Sequence, residues 1–256
     1  MRWTLLLDPA GRPGWHNMAV DQALLDLAAG EGRAFLRIYR WDPYCLSFGR
    51  NEPALKRYDR AGIAQRHLDA VRRPTGGRAV WHADEVTYAV AAPIDTFGSL
   101  AQSYQRIHAT IADALTSLGL PASLASPPVR GSALDAGACF ASPAGGEVML
   151  QGRKVVGSAQ LREGGAFLQH GSILLGGSQQ LVSDLTVGTP PPDGSIPLST
   201  VRGAPVAFDE VARAVGESAR SWSVDWGAVP GDSASLALAA ARHADRFQRA
   251  DWTWRR

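Results

Sequence analysis

Leu100, Tyr104, Ile107, Ile111, Leu115 and Leu118 recur at three- and four-residue intervals. That spacing sets all six on one face of an amphipathic helix, which needs an apolar partner to bury against. Gly119 and Pro121 stop it. The apolar runs around it are short and read as strands: 3–7, 34–41, 45–48, 70–73, 78–82 and 86–91 before it, 148–159 and 167–175 after it. Asp42-Pro43 and residues 74–77 supply turn chemistry between some of them. Further helices are expected from Asn17, acting as a cap for a face of Val20, Leu24 and Leu27, and over 55–68, 208–222 and 233–249. Hairpins mixed with long helices predict an α/β fold of the α+β kind, with flanking helices on mixed, largely antiparallel sheets. No sharp break in composition divides the chain, so residues 1–256 are expected to form a single domain.

Composition narrows the setting. A 45% hydrophobic, 20% charged chain of 256 residues has material for a sizeable core. No apolar run approaches the roughly 18 residues of a membrane span, and the net charge is only +2, so neither a membrane nor a nucleic-acid partner is expected. Cys45 and Cys139 are the only cysteines, too few for a disulfide framework, which favours a reducing cytoplasm. The chain writes nearly every basic residue as Arg, and its two lysines are Lys56 and Lys154. Lys56 lies in a polar stretch and reads as surface. Lys154 lies inside an apolar run, where a compact ammonium has chemistry that a planar guanidinium lacks.

Two stretches carry chemistry. The first is Arg72-Arg73-Pro74-Thr75-Gly76-Gly77-Arg78-Ala79-Val80-Trp81-His82. Adjacent glycines let a backbone approach a ligand and aim N–H groups at it. The arginines suit a carboxylate, phosphate or acidic partner. Arg72, Arg73, Arg78, Arg153 and Arg162 are expected at a pocket mouth facing such a partner; an ordinary turn with solvated arginines is the plainer alternative. The second stretch runs from Cys139 past Glu147 to Gly152-Arg153-Lys154-Val155-Val156-Gly157-Ser158-Ala159-Gln160, then to Gln169-His170-Gly171-Ser172. An ammonium near a thiol lowers its pKa and can hold a developing oxyanion. A lone cysteine is more often a small inert hydrophobe, which is the reading for Cys45. Common hydrolase, zinc-protease, Walker and dinucleotide motifs are absent, and the six histidines show no metal-ligand spacing, so no metal is expected.

Taken in order, these stretches resemble the lipoate/biotin protein ligase superfamily, and within it the LipM-type octanoyltransferases. The resemblance spans roughly residues 3 to 254. It includes Asn17-Met18-Ala19-Val20-Asp21-Gln22-Ala23-Leu24-Leu25, similar to the family's opening helix, and Glu85-Val86-Thr87-Tyr88 after the glycine loop. The resemblance implies the catalytic-domain fold of that superfamily, with Cys139 as the acyl-accepting nucleophile and Lys154 as the family's lysine. Gly76, Gly77 and Arg78, with Arg73, fall in the loop around the acyl head. His82, Gly157, Ser158, Ala159, His170 and Gly171 fall on pocket positions. The implied reaction moves octanoyl from an acyl carrier protein to a lysine of a lipoyl-carrying protein, such as the glycine-cleavage H protein. A thioester is already activated, so no ATP or other cofactor is expected. Three alternatives stay open: an ATP-dependent lipoate ligase, an amidotransferase between carrier proteins, and a non-catalytic carrier-protein binding module.

Overall fold

The computed structural model describes residues 1–126, 146–190, 192–231 and 233–255. Strand β1 (Trp3–Arg12) leads into helix α1 (Gly14–Glu31), and β2 (Ala34–Trp41) returns parallel to β1. β3 (Cys45–Phe48), helices α2 (Ala54–Arg57) and α3 (Arg60–Gln65), β4 (Asp69–Arg72) and β5 (Val80–His82) follow. β6 (Glu85–Pro93) and α4 (Leu100–Ser117) come next, then the short β7 (Ser123–Leu124), β8 (Val148–Leu150) and β9 (Arg153–Lys154). The hairpin β10 (Val156–Glu163) and β11 (Ala166–Leu174) precedes α5 (Gln180–Asp184), α6 (Leu198–Arg202) and α7 (Phe208–Ser218). β12 (Trp226–Pro230), α8 (Ala234–Gln248) and α9 (Ala250–Thr253) follow.

The main sheet has the order β10-β11-β6-β2-β1-β12, and two three-stranded sheets have the orders β4-β3-β5 and β7-β8-β9. Among the described residues six strand pairings are antiparallel and three parallel, the mixed and largely antiparallel pattern expected. Alternation along β2 sends Phe35 and Tyr39 to one face of the main sheet and Leu36 and Ile38 to the other. Helices α1 and α8 bury the first face through Leu24, Leu25, Leu236 and Phe247. Helices α4 and α7 bury the second through Ile107, Ile111, Val211 and Val215. Each such side chain contributes about 1.5–3 kcal/mol. Ser99 and Gln102 start α4 with a reciprocal capping box.

Three local expectations change. Helix α1 begins earlier than its expected cap: Pro13 stands at its start, while Asn17 is buried inside it and donates to the carbonyls of Arg12 and Arg40. The helix expected over 55–68 is broken in two. Tyr58 bridges to Thr186, and Asp59 accepts from the Gly62 N–H to start α3 afresh. Residues 74–77 do not turn one strand back on the next; β4 and β5 lie on opposite sides of β3, so the loop between them crosses the end of β3.

Candidate functional site

The glycine loop is shaped from beneath. Arg73 Nη1 donates to Ser47 O at 2.8 Å and Ser47 Oγ at 2.5 Å, while Nη2 donates to the carbonyls of Gly76 (3.1 Å) and Arg78 (2.8 Å). Gly49 at the end of β3 has no room for a side chain, since a Cβ there would stand 2.0 Å from Gly77 O. On its far side the loop approaches β10: a Cβ at Gly77 would lie 3.7 Å from that of Ala159. Arg72 departs from expectation. Its guanidinium is fully enclosed and donates to the carbonyls of Gly49, Arg50 and Glu52 and to those of Trp252, Thr253 and Arg255. Pairing of β4 with β3 turns this side chain inward, so it has no reach to a partner protein. Arg78 is half-buried, and Arg153 and Arg162 are exposed.

Arg73, His82, Gly157, Ser158, Ala159, His170 and Gly171 line one cavity of about 310 Å³, counting its open mouth. The other three expected binding residues, Gly76, Gly77 and Arg78, lie in the loop that Arg73 holds. The sequence reading missed Met18, Tyr39, Trp41, Val80, Thr87 and Ser172, which also line the cavity. It also missed the buried groups behind them.

Those groups form two histidine clamps on the face covered by α1. His170 Nδ1 donates to Asp21 at 2.9 Å, and Thr75 Oγ1 donates to His170 Nε2 at 2.6 Å. Asp21 also accepts from Arg37 and from Tyr39 OH, each at 2.9 Å. His82 Nδ1 donates to Glu85 at 2.8 Å, and Ser47 donates to its Nε2 at 2.6 Å. Trp41 stacks on the His82 ring, with centroids 3.9 Å apart. Hydroxyl, imidazole and carboxylate in a row imitate a nucleophilic triad. Ser47 and Thr75 are fully buried and do not line the cavity, so they orient the histidines rather than attack a substrate. Burial, helped by Arg73 and His82, lowers the His170 pKa in spite of Asp21, which favours the neutral ring.

A second polar chain runs on the face covered by α4. Gln160 donates to Gln169 (2.8 Å), Gln169 to Tyr88 OH (3.0 Å), and Tyr88 to Ser158 Oγ (2.7 Å). Ser158 donates to His108 Nε2 (2.8 Å), whose Nδ1 donates to Gly146 O (2.7 Å). The terminal carbonyl only accepts, which sets the direction of every bond in the chain. Gly171 makes the chain possible, because a Cβ there would stand 2.3 Å from Ser158 Oγ. Burial pushes the His108 pKa down to about 4.

Lys154 is buried on β9, three residues before Gly157, and does not itself line the cavity. Its Nζ donates to Glu147 at 2.5 Å. Gln151 and Gly152, both with positive φ, make the tight turn that brings β9 back against β8. Glu147 supplies the counter-charge that a buried ammonium needs. Cys139 lies outside the described residues. Cys45 is core, and burial raises its thiol pKa well above the ordinary value. No group of His, Cys, Asp and Glu among the described residues is arranged to hold a metal ion. None of the described helices is long and apolar enough to cross a membrane.

The sheets and their flanking helices have the fold of a lipoate-protein ligase catalytic domain. The solved structure of lipoate-protein ligase A bound with ATP superposes with a TM-score of 0.81 at 21% identity, covering 99% of each chain. The family model of the lipoyl protein ligase A/B catalytic domain matches residues 13–219, and the chain belongs to that family. Octanoyltransferase LipM of Moorella thermoacetica is 43% identical over 175 residues, 66% of this chain and 64% of that protein. Octanoyltransferase LipM of Kyrpidia tusciae is 43% identical over 182 residues, 68% of this chain and 66% of that protein. The matched stretch thus spans just under two thirds of the length of these relatives.

Proposed function

We propose that this chain is an octanoyltransferase acting in the cytoplasm through one catalytic domain, residues 1–256. The donor is octanoyl-acyl carrier protein, and the acceptor is a lysine of a lipoyl-carrying protein such as the glycine-cleavage H protein. The Cys139 thiolate attacks the donor's carbonyl carbon, the bond to the carrier's sulfur breaks, and that sulfur leaves as a thiolate that takes up a proton. The acceptor amine then attacks the new thioester, loses a proton, and releases the Cys139 thiolate as the amide forms. Lys154, held by Glu147, stabilises the thiolate and the carbonyl oxygen. Arg73 and the loop through Gly76, Gly77 and Arg78 hold the acyl head, while the cavity between Met18, Trp41 and Ala159 takes apolar chain at about 0.8 kcal/mol per methylene.

The observation that carries the reading is the 43% identity to proteins named octanoyltransferase LipM, against 21% to the ATP-bound ligase. The test is the intact mass of the protein after incubation with octanoyl-acyl carrier protein. An octanoyl adduct is expected without ATP, absent from Cys139→Ser and retained by Cys45→Ser. An adduct on Cys45, or one that needs ATP, overturns the proposal.

A further inference from the structure

We propose that Trp41 sets the length of acyl chain this protein accepts, by walling the acyl cavity off from a larger void behind it. The inference rests on the acyl-transfer reading and names the residue that limits its substrate.

The register of the main sheet gives the acyl cavity a direction. Gly157, Ser172, Thr87 and Tyr39 stand opposite one another on β10, β11, β6 and β2. All four line the cavity, which therefore runs across the strands. Three strand intervals of about 4.8 Å make a path of about 14 Å. Its reactive end is at β10, the edge strand, because Lys154 stands three residues before Gly157. Its far end is at β2. Seven C–C bonds of about 1.5 Å carry an extended octanoyl chain about 9 Å along that path. The terminal methyl then arrives over Thr87, against the indole of Trp41.

Trp41 is held there as a partition. It is 4% exposed. Its ring stacks on His82 with 12° between the planes, and its Nε1 donates to Thr87 Oγ1 at 2.7 Å. Thr87 in turn donates to Glu85, which also accepts from His82 at 2.8 Å. Both supports of the indole thus end on one carboxylate, and the ring is not free to swing aside for a longer chain. Behind it lies a second cavity of about 1120 Å³, against about 310 Å³ for the acyl cavity, each counting its open mouth. Trp41 is the one residue that lines both. Leu175, Val206 and Phe208 give the second cavity an apolar wall. Removing the indole joins the two spaces, and each methylene that reaches this wall strengthens binding about fourfold.

The probes are the N-methyl amides of octanoic, decanoic and dodecanoic acid, titrated calorimetrically into the full chain with no carrier protein present. The wild type is expected to bind the octanoyl amide at least about tenfold more tightly than the dodecanoyl amide. Trp41→Ala should erase or reverse that preference, and Trp41→Leu gives the same reading if the alanine variant does not fold. Trp41→Phe keeps a ring against His82 and should keep the octanoyl limit. Met18 lines the acyl cavity and not the second one, so Met18→Ala enlarges the first without joining them and should extend the limit to decanoyl only. Each result is a ratio within one protein, so a loss of folded protein lowers all three affinities together and leaves the ratio unmoved. A wild type with no length preference or no binding, an unchanged ratio after truncation of Trp41, or an equal gain in Met18→Ala overturns the proposal. The amides have no thioester to transfer. An octanoyl adduct with an unchanged ratio therefore sinks this inference alone, and the expected ratios with no adduct sink the reaction alone.

Discussion

The two faces of the main sheet bury polar groups in opposite ways. The face under α1 holds charges: Asp21 with Arg37, Arg37 with Asp8 at 3.3 Å, and Glu85 on His82. The face under α4 carries a chain of neutral groups, from Gln160 through Tyr88 and Ser158 to His108. A buried charge tolerates no missing partner, because the remaining charge has nowhere to go. A neutral chain loses one bond at a time. The charged face therefore holds the cavity wall rigidly, and the neutral face ties β10 and β11 to α4 with little electrostatic commitment.

The largest test of that contrast is Asp21→Ala. It strips Arg37, Tyr39 and His170 of a shared acceptor and should lower the unfolding free energy by about 3–5 kcal/mol in urea titration. A loss below about 1 kcal/mol would erase the distinction between the faces. Acid is the next lever. The unfolded chain protonates His108 near its ordinary value of 6.5, while the folded protein keeps it neutral down to about 4. Its contribution to stability is complete above pH 6.5 and is lost as pH falls toward 4, about 2 kcal/mol of it between pH 7 and 5. His108→Gln should lose that much less stability than the wild type over the same interval. Both proteins share the same-signed contribution from His170, so the difference reads the α4 face alone. The smallest effect belongs to Tyr88→Phe, which breaks the neutral chain and should cost about 1 kcal/mol with the cavity intact. A cost near that of Asp21→Ala would mean the two faces are built alike.

Legibility in the sequence followed the locality of the cause. The strands at 34–41 and 45–48 are read to the residue, because the Asp42-Pro43 turn bounds both. The α4 helix carries its own period and capping box. The helix over 55–68 misleads because Tyr58 leaves the helical path to pair with Thr186, a partner 128 residues away that no local pattern announces. The site divides the same way. The glycine loop, Ser158 and His170 stand in motifs with recognisable order. Asp21 and Thr75 acquire meaning from His170, 149 and 95 residues away, and Glu147 from Lys154 across the β8–β9 turn. The available signal was weaker: Asp21 interrupts the apolar residues of α1, and Arg37 stands in an otherwise apolar strand. Arg72 and Arg73 show the limit most directly, since neighbours of one type take unrelated tasks, one enclosed by backbone and one shaping the loop.

Arg72 also has a consequence in time. Three of the carbonyls that enclose it lie 180 to 183 residues downstream. At about 5–20 residues per second of synthesis, those partners emerge roughly 10–40 s after Arg72 does. Until then its guanidinium must stay hydrated, and β4 cannot settle fully against β3. The loop that follows β4 therefore gains its full support only once residues 252–255 have been made, long after the loop itself has emerged.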